Sequence, residues 1–245
     1  MSCLFWHSIR LQRAIPALLL VLALAAGCVT AGAQQRTPQE AVAQVDAAVR
    51  QRAERLASYI VVEHYAIYRG SEQSRPVAEM TVKATFRHES GKSYQILSES
   101  GSGAVLRFGL HPLLEHEREL NQPRNRELSL FTSANYRMEP RPGTEQRNGR
   151  NCTVISIFPR RHGTNLLKGT LWVDSQDGSI VHVEGVGSKN PSLLSGPARM
   201  TRDYAPQQGF TMALHARAES DTFMFGRIVV VIDYSDYKIE TASAR

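Results

Sequence analysis

The stretch that decides the fold is residues 169–180, which read GTLWVDSQDGSI. Apolar and β-branched residues stand on both sides of a short polar segment that ends in Asp177-Gly178. An Asp-Gly pair between two such runs is the strongest local signal for a β-hairpin. The stretch therefore predicts two antiparallel strands, from Gly169 to Asp174 and from Ile180 to Gly185.

Strand patterns flank this hairpin on both sides. Residues 78–88 (AEMTVKATFRH) place apolar side chains at every second position, so one face is dry and the other wet. Runs rich in β-branched and aromatic residues recur at 59–68, 93–98, 151–158, 200–204, 209–220 and 226–238.

These runs add up to about nine or ten strands. They do not alternate regularly with helices, so parallel βαβ architecture is not expected. We predict a mainly β (α+β) fold, a half-open, highly curved antiparallel sheet or barrel with helices packed in the concave side.

One helix is predicted ahead of the first strand. Thr37-Pro38-Gln39-Glu40 reads as a capping box, with Thr37 as the N-cap and Glu40 as its reciprocal partner. The spacing of apolar residues then predicts a helix that runs to about Leu56 and packs one face on the sheet.

The middle of the chain interrupts the strand pattern. Residues 104–120 form the most apolar stretch outside the leader and predict one or two short helices, broken at Pro112. Residues 121–150 are polar and contain three prolines, so an irregular segment is expected there, with a short strand from Asn135 to Glu139.

Residues 1–33 have the order of a secretory signal peptide. Arg10 and Arg13 precede an unbroken apolar run from Ile15 to Ala26, and small residues follow. The run is too short to cross a bilayer comfortably. We therefore predict an exported protein whose residues 34–245 form a single domain.

The leader contains two alternative processing sites. Ala31-Gly32-Ala33 is a cleavage site that would release Gln34 and leave the protein soluble in the periplasm or outside the cell. Residues 25–28 (AAGC) resemble a bacterial lipobox, which would lipidate Cys28 and tie the domain to a membrane leaflet.

Charge and cysteine content exclude several classes of protein. The leader holds two of the 29 basic residues and none of the 23 acidic ones, so the net charge after its removal is +4. No basic stripe with interleaved aromatics is present, and no nucleic-acid partner is expected. The short basic run at Arg160 and Arg161 predicts at most contact with lipid head groups. Without Cys3 and Cys28, Cys152 has no partner for an intrachain disulfide and is expected to be a buried apolar side chain.

Neither a catalytic motif nor a metal-binding motif is complete in the sequence. Residues 111–116 (HPLLEH) look like a zincin fragment but have the wrong spacing and order, and a G-x-S-x-G elbow is absent. His64, His88, His182 and His215 fall on separate predicted strands. No metal, cofactor or catalytic residue is predicted, and the chain is expected not to be an enzyme.

The order of these elements resembles that of a known family. The residues that carry the resemblance are GTLWVD at 169–174 with DGSI at 177–180, and FGR at 225–227 before the final strand, which ends in DYSDY at 233–237. Over residues 37–240 the chain resembles the LolA/LolB-like periplasmic lipoprotein carriers, especially the outer-membrane lipoprotein-sorting branch. The resemblance implies a helical lid over a hydrophobic cavity that holds acyl chains.

That resemblance, with the apolar alternation, gives the candidate site and function. We expect a noncatalytic, monomeric envelope protein that binds lipid acyl chains or lipoproteins, associates with membranes, and takes part in outer-membrane lipoprotein sorting. The candidate cavity and lid residues are Met80, Val82, Phe86, Leu106, Phe108, Leu110, Leu113, Trp172, Met212, Leu214, Val230 and Ile232. Trp172 could instead pack in the core.

Two other functions are compatible with the sequence. A structural or interaction protein of the envelope would have its dry face filled by the helices and would bind no ligand. A hydrolase with a dispersed site would bring the strand histidines together with carboxylates.

Overall fold

The computed structural model describes residues 37–72, 75–163, 165–189, 196–223 and 226–242. The leader, Cys28 and the Ala33 cleavage site lie outside these residues. The helices are α1 (Pro38–Arg55), α2 (Gly103–Val105), α3 (His111–Leu120) and α4 (Pro123–Arg126), with a π-helical turn at Leu106–Leu110 and a 3-10 turn at Glu127–Ser129. The strands are β1 (Leu56–Arg69), β2 (Ala78–Arg87), β3 (Gly91–Gly101), β4 (Tyr136–Arg147), β5 (Arg150–Pro159), β6 (Leu167–Asp174), β7 (Ile180–Gly187), β8 (Arg199–Gln207), β9 (Phe210–Thr222) and β10 (Gly226–Thr241).

The ten strands form one antiparallel sheet in the order β3-β2-β1-β10-β9-β8-β7-β6-β5-β4. The sheet does not close on itself, because β3 and β4 remain its two edges. The predicted fold class is confirmed, and the sheet is the half-open form of the two that the sequence allowed.

Strand alternation divides the sheet into two faces. On one face a row of side chains in register crosses eight strands, through Met80, Tyr65, Ile232, Ala216, Arg202, Val183, Leu171 and Ile155. We call this the inner face, because the helices pack on it. The opposite side is called the outer face.

Two helical segments cover different halves of the inner face. Helix α1 begins at the predicted capping box, where Glu40 and Thr37 bond each other's backbone amides at 2.8 and 3.3 Å. Its Val45 packs among Ile155, Leu171 and other buried residues of β5, β6 and β7. Residues 103–120, which we call the lid, pack over β1, β2 and β10 at the other end.

Strand β4 corrects the prediction of a short strand in this region. It extends over twelve residues and includes Pro140 and Pro142. Proline removes an amide donor, which an edge strand tolerates because one side of it has no partner strand. The pairing with β5 breaks between Pro140 and Thr144, where the prolines lie.

A glycine pair lets β6 and β7 approach each other closely on the inner face. Gly169 and Gly185 are opposite one another in the register. A Cβ on Gly169 would lie 2.0 Å from the Glu184 carbonyl oxygen and 2.6 Å from Gly185 Cα. Only glycine fits this contact, which marks a tight bend in the sheet.

We expect Gly169→Ala to destabilise the fold by about 1–3 kcal/mol or more, because the added methyl group meets backbone on both sides. Urea unfolding followed by circular dichroism would measure the change. Gly103→Ala is the control, since a Cβ there meets nothing within 4 Å. Equal stability of the two variants would contradict the close approach.

Candidate functional site

The lid is one continuous helical segment. Ser102 caps it through its hydroxyl, 3.5 Å from the Val105 amide, and the chain continues through the π-helical turn into α3 without a break. Pro112 is the second residue of α3 and directly follows the π-helical turn, in which the His111 amide bonds the Leu106 carbonyl, so the chain accommodates the missing proline donor by local π-helical pairing. The predicted interruption at Pro112 is therefore only a change of helix type.

Two leucines anchor the lid to the sheet. Leu110 and Leu114 are buried in a cluster with Ile67, Ala78 and Met80. They are four residues apart and share one side of the helix. Burial of a leucine side chain contributes roughly 1.5–3 kcal/mol, so these two account for much of the apolar adhesion of the lid.

Beneath and beside the lid, part of the inner face is only half-buried. Ile228, Val230 and Ile232 alternate along β10 and pack on the cluster without being enclosed by it. The lid residues Leu106 and Leu113 pack on the same cluster and are likewise half-buried. These five side chains form what we call the apolar strip.

The structure places most of the twelve candidate residues on the inner face but not in one group. Met80, Val82 and Leu110 are fully buried under the lid, and Leu106, Leu113, Val230 and Ile232 belong to the apolar strip. Phe86 and Met212 lie in a separate buried cluster that also contains Leu56, Tyr234 and Tyr237.

Three candidates are placed differently from the expectation. Phe108 is on the lid but points away from the sheet and is 75% exposed. Trp172 lies on the outer face, because it is opposite in the pleat to Leu171 and Val173, which pack on the inner face. Leu214 lies at a break in the pairing of β9 with β8 and is exposed.

A buried polar cluster fastens the end of the lid. Lys92 Nζ lies 2.6 Å from Glu63 Oε1 and 2.8 Å from Glu117 Oε1. The Tyr65 hydroxyl lies 2.6 Å from Glu63 Oε2 and 3.0 Å from Glu117 Oε2, so its proton is shared between the two carboxylates. Glu63 and Lys92 are at most 4% exposed. We call these four residues the clasp.

The charges of the clasp are strongly coupled. Burial by itself would raise the pKa of Glu117, but the charge and hydrogen bond of Lys92, with the charge of Arg202, bring it down to about 2. Burial raises the pKa of Glu63, and Lys92 offsets this only in part. Burial lowers the pKa of Lys92, but the two carboxylates outweigh it and hold the lysine charged. The lid therefore closes on a charged interior.

Two signals for the clasp are present in the sequence. Glu63 occupies an inward position between Val61 and Tyr65 in an otherwise apolar strand, where an unpaired charge would be costly. Glu117 follows Leu110 and Leu114 at helical spacing, which puts it on the buried side of the lid. Lys92 carries no comparable signal in the sequence.

A row of histidines and aspartates crosses the outer face. From β7 to β1 the residues in register are His182, Asp203, His215, Asp233 and His64. His182 and His215 each bring Nδ1 within 2.7 Å of Oδ1 of the adjacent aspartate. His64 Nε2 lies 3.4 Å from Glu79 Oε1, so three of the four predicted strand histidines meet carboxylates, while His88 contacts Arg126.

Within this row His182 is fixed by its neighbours. Arg147 Nη2 lies 2.8 Å from His182 Nε2, and a guanidinium can only donate, so Nε2 must be the accepting nitrogen. Burial alone would raise the pKa of Asp203, but hydrogen bonds from His182 and Asn148 hold it below its usual value. Trp172 lies edge-on to the imidazole and donates to Glu145 at 2.8 Å.

We expect His182 to be the neutral tautomer with its proton on Nδ1. Long-range ¹H–¹⁵N correlation spectra of labelled protein at neutral pH would show Nδ1 protonated and Nε2 bare. His215, whose Nδ1 also lies 2.7 Å from an aspartate oxygen, serves as the internal comparison. A proton on Nε2 of His182 would contradict the Arg147 contact.

Two pockets are lined by described residues. One of about 320 Å³ lies on the outer face, between the β4–β5 turn and strands β8 and β9, and includes Asp203, Leu214 and His215. The other, of about 230 Å³, lies beside the lid between Leu114 and Ile96 of the edge strand β3. Ligand pockets usually measure about 300–1,000 Å³, so the second is too small for a whole lipid while the lid is closed.

The short basic run is used inside the fold. Arg160 Nε donates to the Ser133 carbonyl at 2.8 Å, and Arg161 contacts the carbonyl of Leu128. Both arginines therefore hold the segment before β4 in place, and contact with lipid head groups is not needed to explain them. Among the described residues, no three or more His, Cys, Asp or Glu side chains are placed to hold a metal ion. None of the described helices is long and apolar enough to cross a membrane.

Comparison with known proteins identifies similar structures only. No family model and no curated protein matches the chain. A LolA superfamily protein from Nitrosomonas europaea has 12% identity and a TM-score of 0.44, with 84% of this chain and 94% of that one covered. A domain named for outer membrane lipoprotein sorting, from Vibrio parahaemolyticus, has 15% identity and a TM-score of 0.46, with coverage of 84% and 95%.

A third solved structure, a DUF1329 family protein from Desulfovibrio piger, has 14% identity and a TM-score of 0.42, with coverage of 85% and 96%. These identities are low, and each comparison spans most of both chains. The sequence resemblance names the same superfamily as the first of these solved structures.

Proposed function

We propose that the protein is a noncatalytic component of the cell envelope that binds lipid acyl chains on the inner face of its sheet. The lid lifts to admit the chain and then packs over it. The secretory leader supports export of the protein. Cleavage after Ala33 would release the protein into the periplasm, and lipidation of Cys28 would anchor it to a membrane. A role in outer-membrane lipoprotein sorting is the finer form of the same proposal.

The observation that carries the proposal is the apolar strip beside a separately anchored lid. Water-exposed apolar area is unfavourable by about 25 cal/mol per Å², so half-buried Ile228, Val230 and Ile232 gain free energy when a chain covers them. The lid is held to the sheet by the buried Leu110 and Leu114, by half-buried residues beside them, by the clasp and by a contact of His111 with Glu99 of β3. All of these contacts belong to one face of a single segment, so they can be exchanged together for contacts with a ligand.

Native mass spectrometry of detergent-free protein from a bacterial periplasm would test the proposal. We expect adducts with the mass of phospholipids or free acyl chains. Two isosteric variants of adjacent residues sharpen the test. Val230→Thr places a hydroxyl in the strip, and Val229→Thr places the same hydroxyl on the outer face of the same strand.

Because an unpaired buried hydroxyl costs roughly 1–3 kcal/mol, Val230→Thr should weaken acyl binding about tenfold. Val229→Thr should leave acyl binding unchanged. The protein should become less stable, because Val229 is buried. Equal binding by both variants would place the ligand elsewhere.

A structural envelope protein without a ligand is the second candidate. It is favoured by the three apolar clusters that fill much of the inner face and by the small volume beside the closed lid. A clean mass for the protein, with no uptake of added lipid, would support it over the first.

A further inference from the structure

We infer that the ligand carries an anionic head group, a carboxylate or a phosphate, which takes the position of the Glu117 carboxylate in the clasp when the lid lifts. This inference rests on the proposed function and names the class of amphiphile that the site selects. In the closed structure, the Glu117 carboxylate of the lid occupies the head-group site.

The members of the clasp belong to two parts of the fold. Glu63 and Tyr65 lie on β1 and Lys92 lies on β3, and Arg202 of β8, outside the clasp, adds its positive charge near Glu117. Glu117 alone belongs to the lid, in the last turn of α3. When the lid moves, the sheet keeps the donors and the cations while one acceptor leaves.

The charge balance shows what the vacated position needs. With the lid closed, Lys92 and Arg202 oppose Glu63 and Glu117, and the four charges sum to zero. With Glu117 gone, Lys92 and Arg202 oppose Glu63 alone, which leaves one excess positive charge on the uncovered surface. An anion that takes the place of Glu117 restores the balance, and when the lid packs over it again the buried cations keep a partner, without which a buried charge costs several kcal/mol.

The donors suit a small oxyanion. Lys92 Nζ and the Tyr65 hydroxyl approach different oxygens of Glu117, at 2.8 and 3.0 Å. Charge-assisted hydrogen bonds of this kind are the stronger ones and require an ionised acceptor. An alcohol or an ester carbonyl offers neither the charge nor the second oxygen in the same geometry.

The apolar strip begins next to this position. Ile232 is the cross-strand neighbour of Tyr65, and Tyr234 is the neighbour of Glu63. From Tyr234 to Ile228 the strand extends about 20 Å at roughly 3.3 Å per residue. Half of a bilayer's hydrocarbon core is about 15 Å, so one acyl chain fits along the strip with its head at the clasp.

Three ligands with the same twelve-carbon chain distinguish the contribution of the head group to binding from that of the acyl chain. We would titrate the delipidated protein with laurate, lauryl phosphate and dodecanol, by calorimetry below their aggregation limits. Wild-type protein should bind the two anions at least about tenfold more tightly than dodecanol, as expected when charged hydrogen bonds are gained. Laurate tighter than lauryl phosphate would indicate a carboxylate ligand, and the reverse order a phosphate.

Glu117→Gln tests the replacement directly, with Glu119→Gln as the control. Glu119 is two residues further along α3 and pairs with Arg124 at the surface. Removing the competing carboxylate of Glu117 should tighten laurate binding about tenfold and dodecanol binding much less. The Glu119 variant should bind both ligands as the wild type does.

A spectroscopic readout locates the head group. The carboxyl resonance of bound [1-¹³C]laurate should remain that of the ionised form well below pH 4.5, because Lys92 and Arg202 would act on it as they act on Glu117. Equal affinity for laurate and dodecanol, or no difference between the two glutamine variants, would overturn the head-group inference and leave acyl binding intact. If none of the three ligands binds, the proposed function fails together with the inference.

Discussion

Replacing Lys92 with methionine is expected to destabilise the protein by about 3–5 kcal/mol at pH 7. Methionine preserves most of the side-chain volume but removes the charge between Glu63 and Glu117. The two carboxylates then face each other without a cation, with only the Tyr65 proton shared between them. Chemical unfolding at neutral pH would measure the loss.

The pH dependence distinguishes this mechanism from simple loss of packing. In the wild type the pKa of Glu117 is about 2, below its ordinary 4.5, so its stabilising contribution is present above pH 4.5 and is lost as the pH falls towards 2. Glu63, whose pKa is raised, contributes in the opposite direction.

Without Lys92 both carboxyl groups should have raised pKa values and take up protons on mild acidification. The stability gap between the variant and the wild type should therefore shrink as the pH is lowered from 7 to 4. Lys83→Met is the control, since Lys83 is an exposed lysine of β2, and it should change stability little at either pH. A gap that stays constant with pH would mean that Lys92 acts through packing alone.

Much of the sheet could be predicted because strand alternation is a local property. Residues 78–88 and 226–238 carry the period of two in the sequence itself, and the Asp177-Gly178 turn fixes how β6 returns as β7. The capping box at Thr37 fixes where α1 begins. In each case the deciding residues are close together in the chain.

The parts that escaped prediction depend on distant residues. β4 was underestimated because Pro140 and Pro142 argue against a strand unless it lies at an edge, and edge position is decided by the whole sheet. The clasp joins Glu63, Lys92 and Glu117 from three separate elements. Its two glutamates can be recognised in the sequence because each falls on an otherwise apolar face. The lysine that they share has no such pattern.

The histidine row likewise depends on residues that are distant in the sequence. His64, His182 and His215 are individually unremarkable, and only the register of five strands aligns them with Asp203 and Asp233. Trp172 was a candidate for the cavity because aromatic residues suit ligand mouths, yet the pleat puts it on the outer face beside His182. Which face is inner follows from where α1 and the lid pack.

Leu110→Asp is expected to release the lid while the rest of the sheet remains folded. Leu110 is fully buried, so the variant loses its apolar contacts and would bury a carboxylate against Ile67 and Met80. The loss of a buried leucine alone costs about 2–5 kcal/mol. Amide hydrogen exchange in residues 103–120 should therefore accelerate about a hundredfold or more.

The other two apolar clusters do not contain lid residues, which is why the effect should stay local. Strands β5, β6 and β7 should keep their exchange protection, and the midpoint of global unfolding should move much less than the lid exchange rates. Retention of bound acyl chains should also fall when the lid is released, because Leu106 and Leu113 would no longer be held with the three β10 residues of the apolar strip.

Phe108→Asp is the matched control for this prediction, since it introduces the same charge two residues earlier on the same segment. Phe108 is exposed and makes no anchoring contact with the sheet, so the lid should stay closed and its exchange protection should be retained. If Leu110→Asp instead lowered the protection of β5 to β7 as much as that of the lid, Leu110 would be part of the general core. The lid would then not be a separately movable element, and ligand entry would have to use the open edge of the sheet at β3.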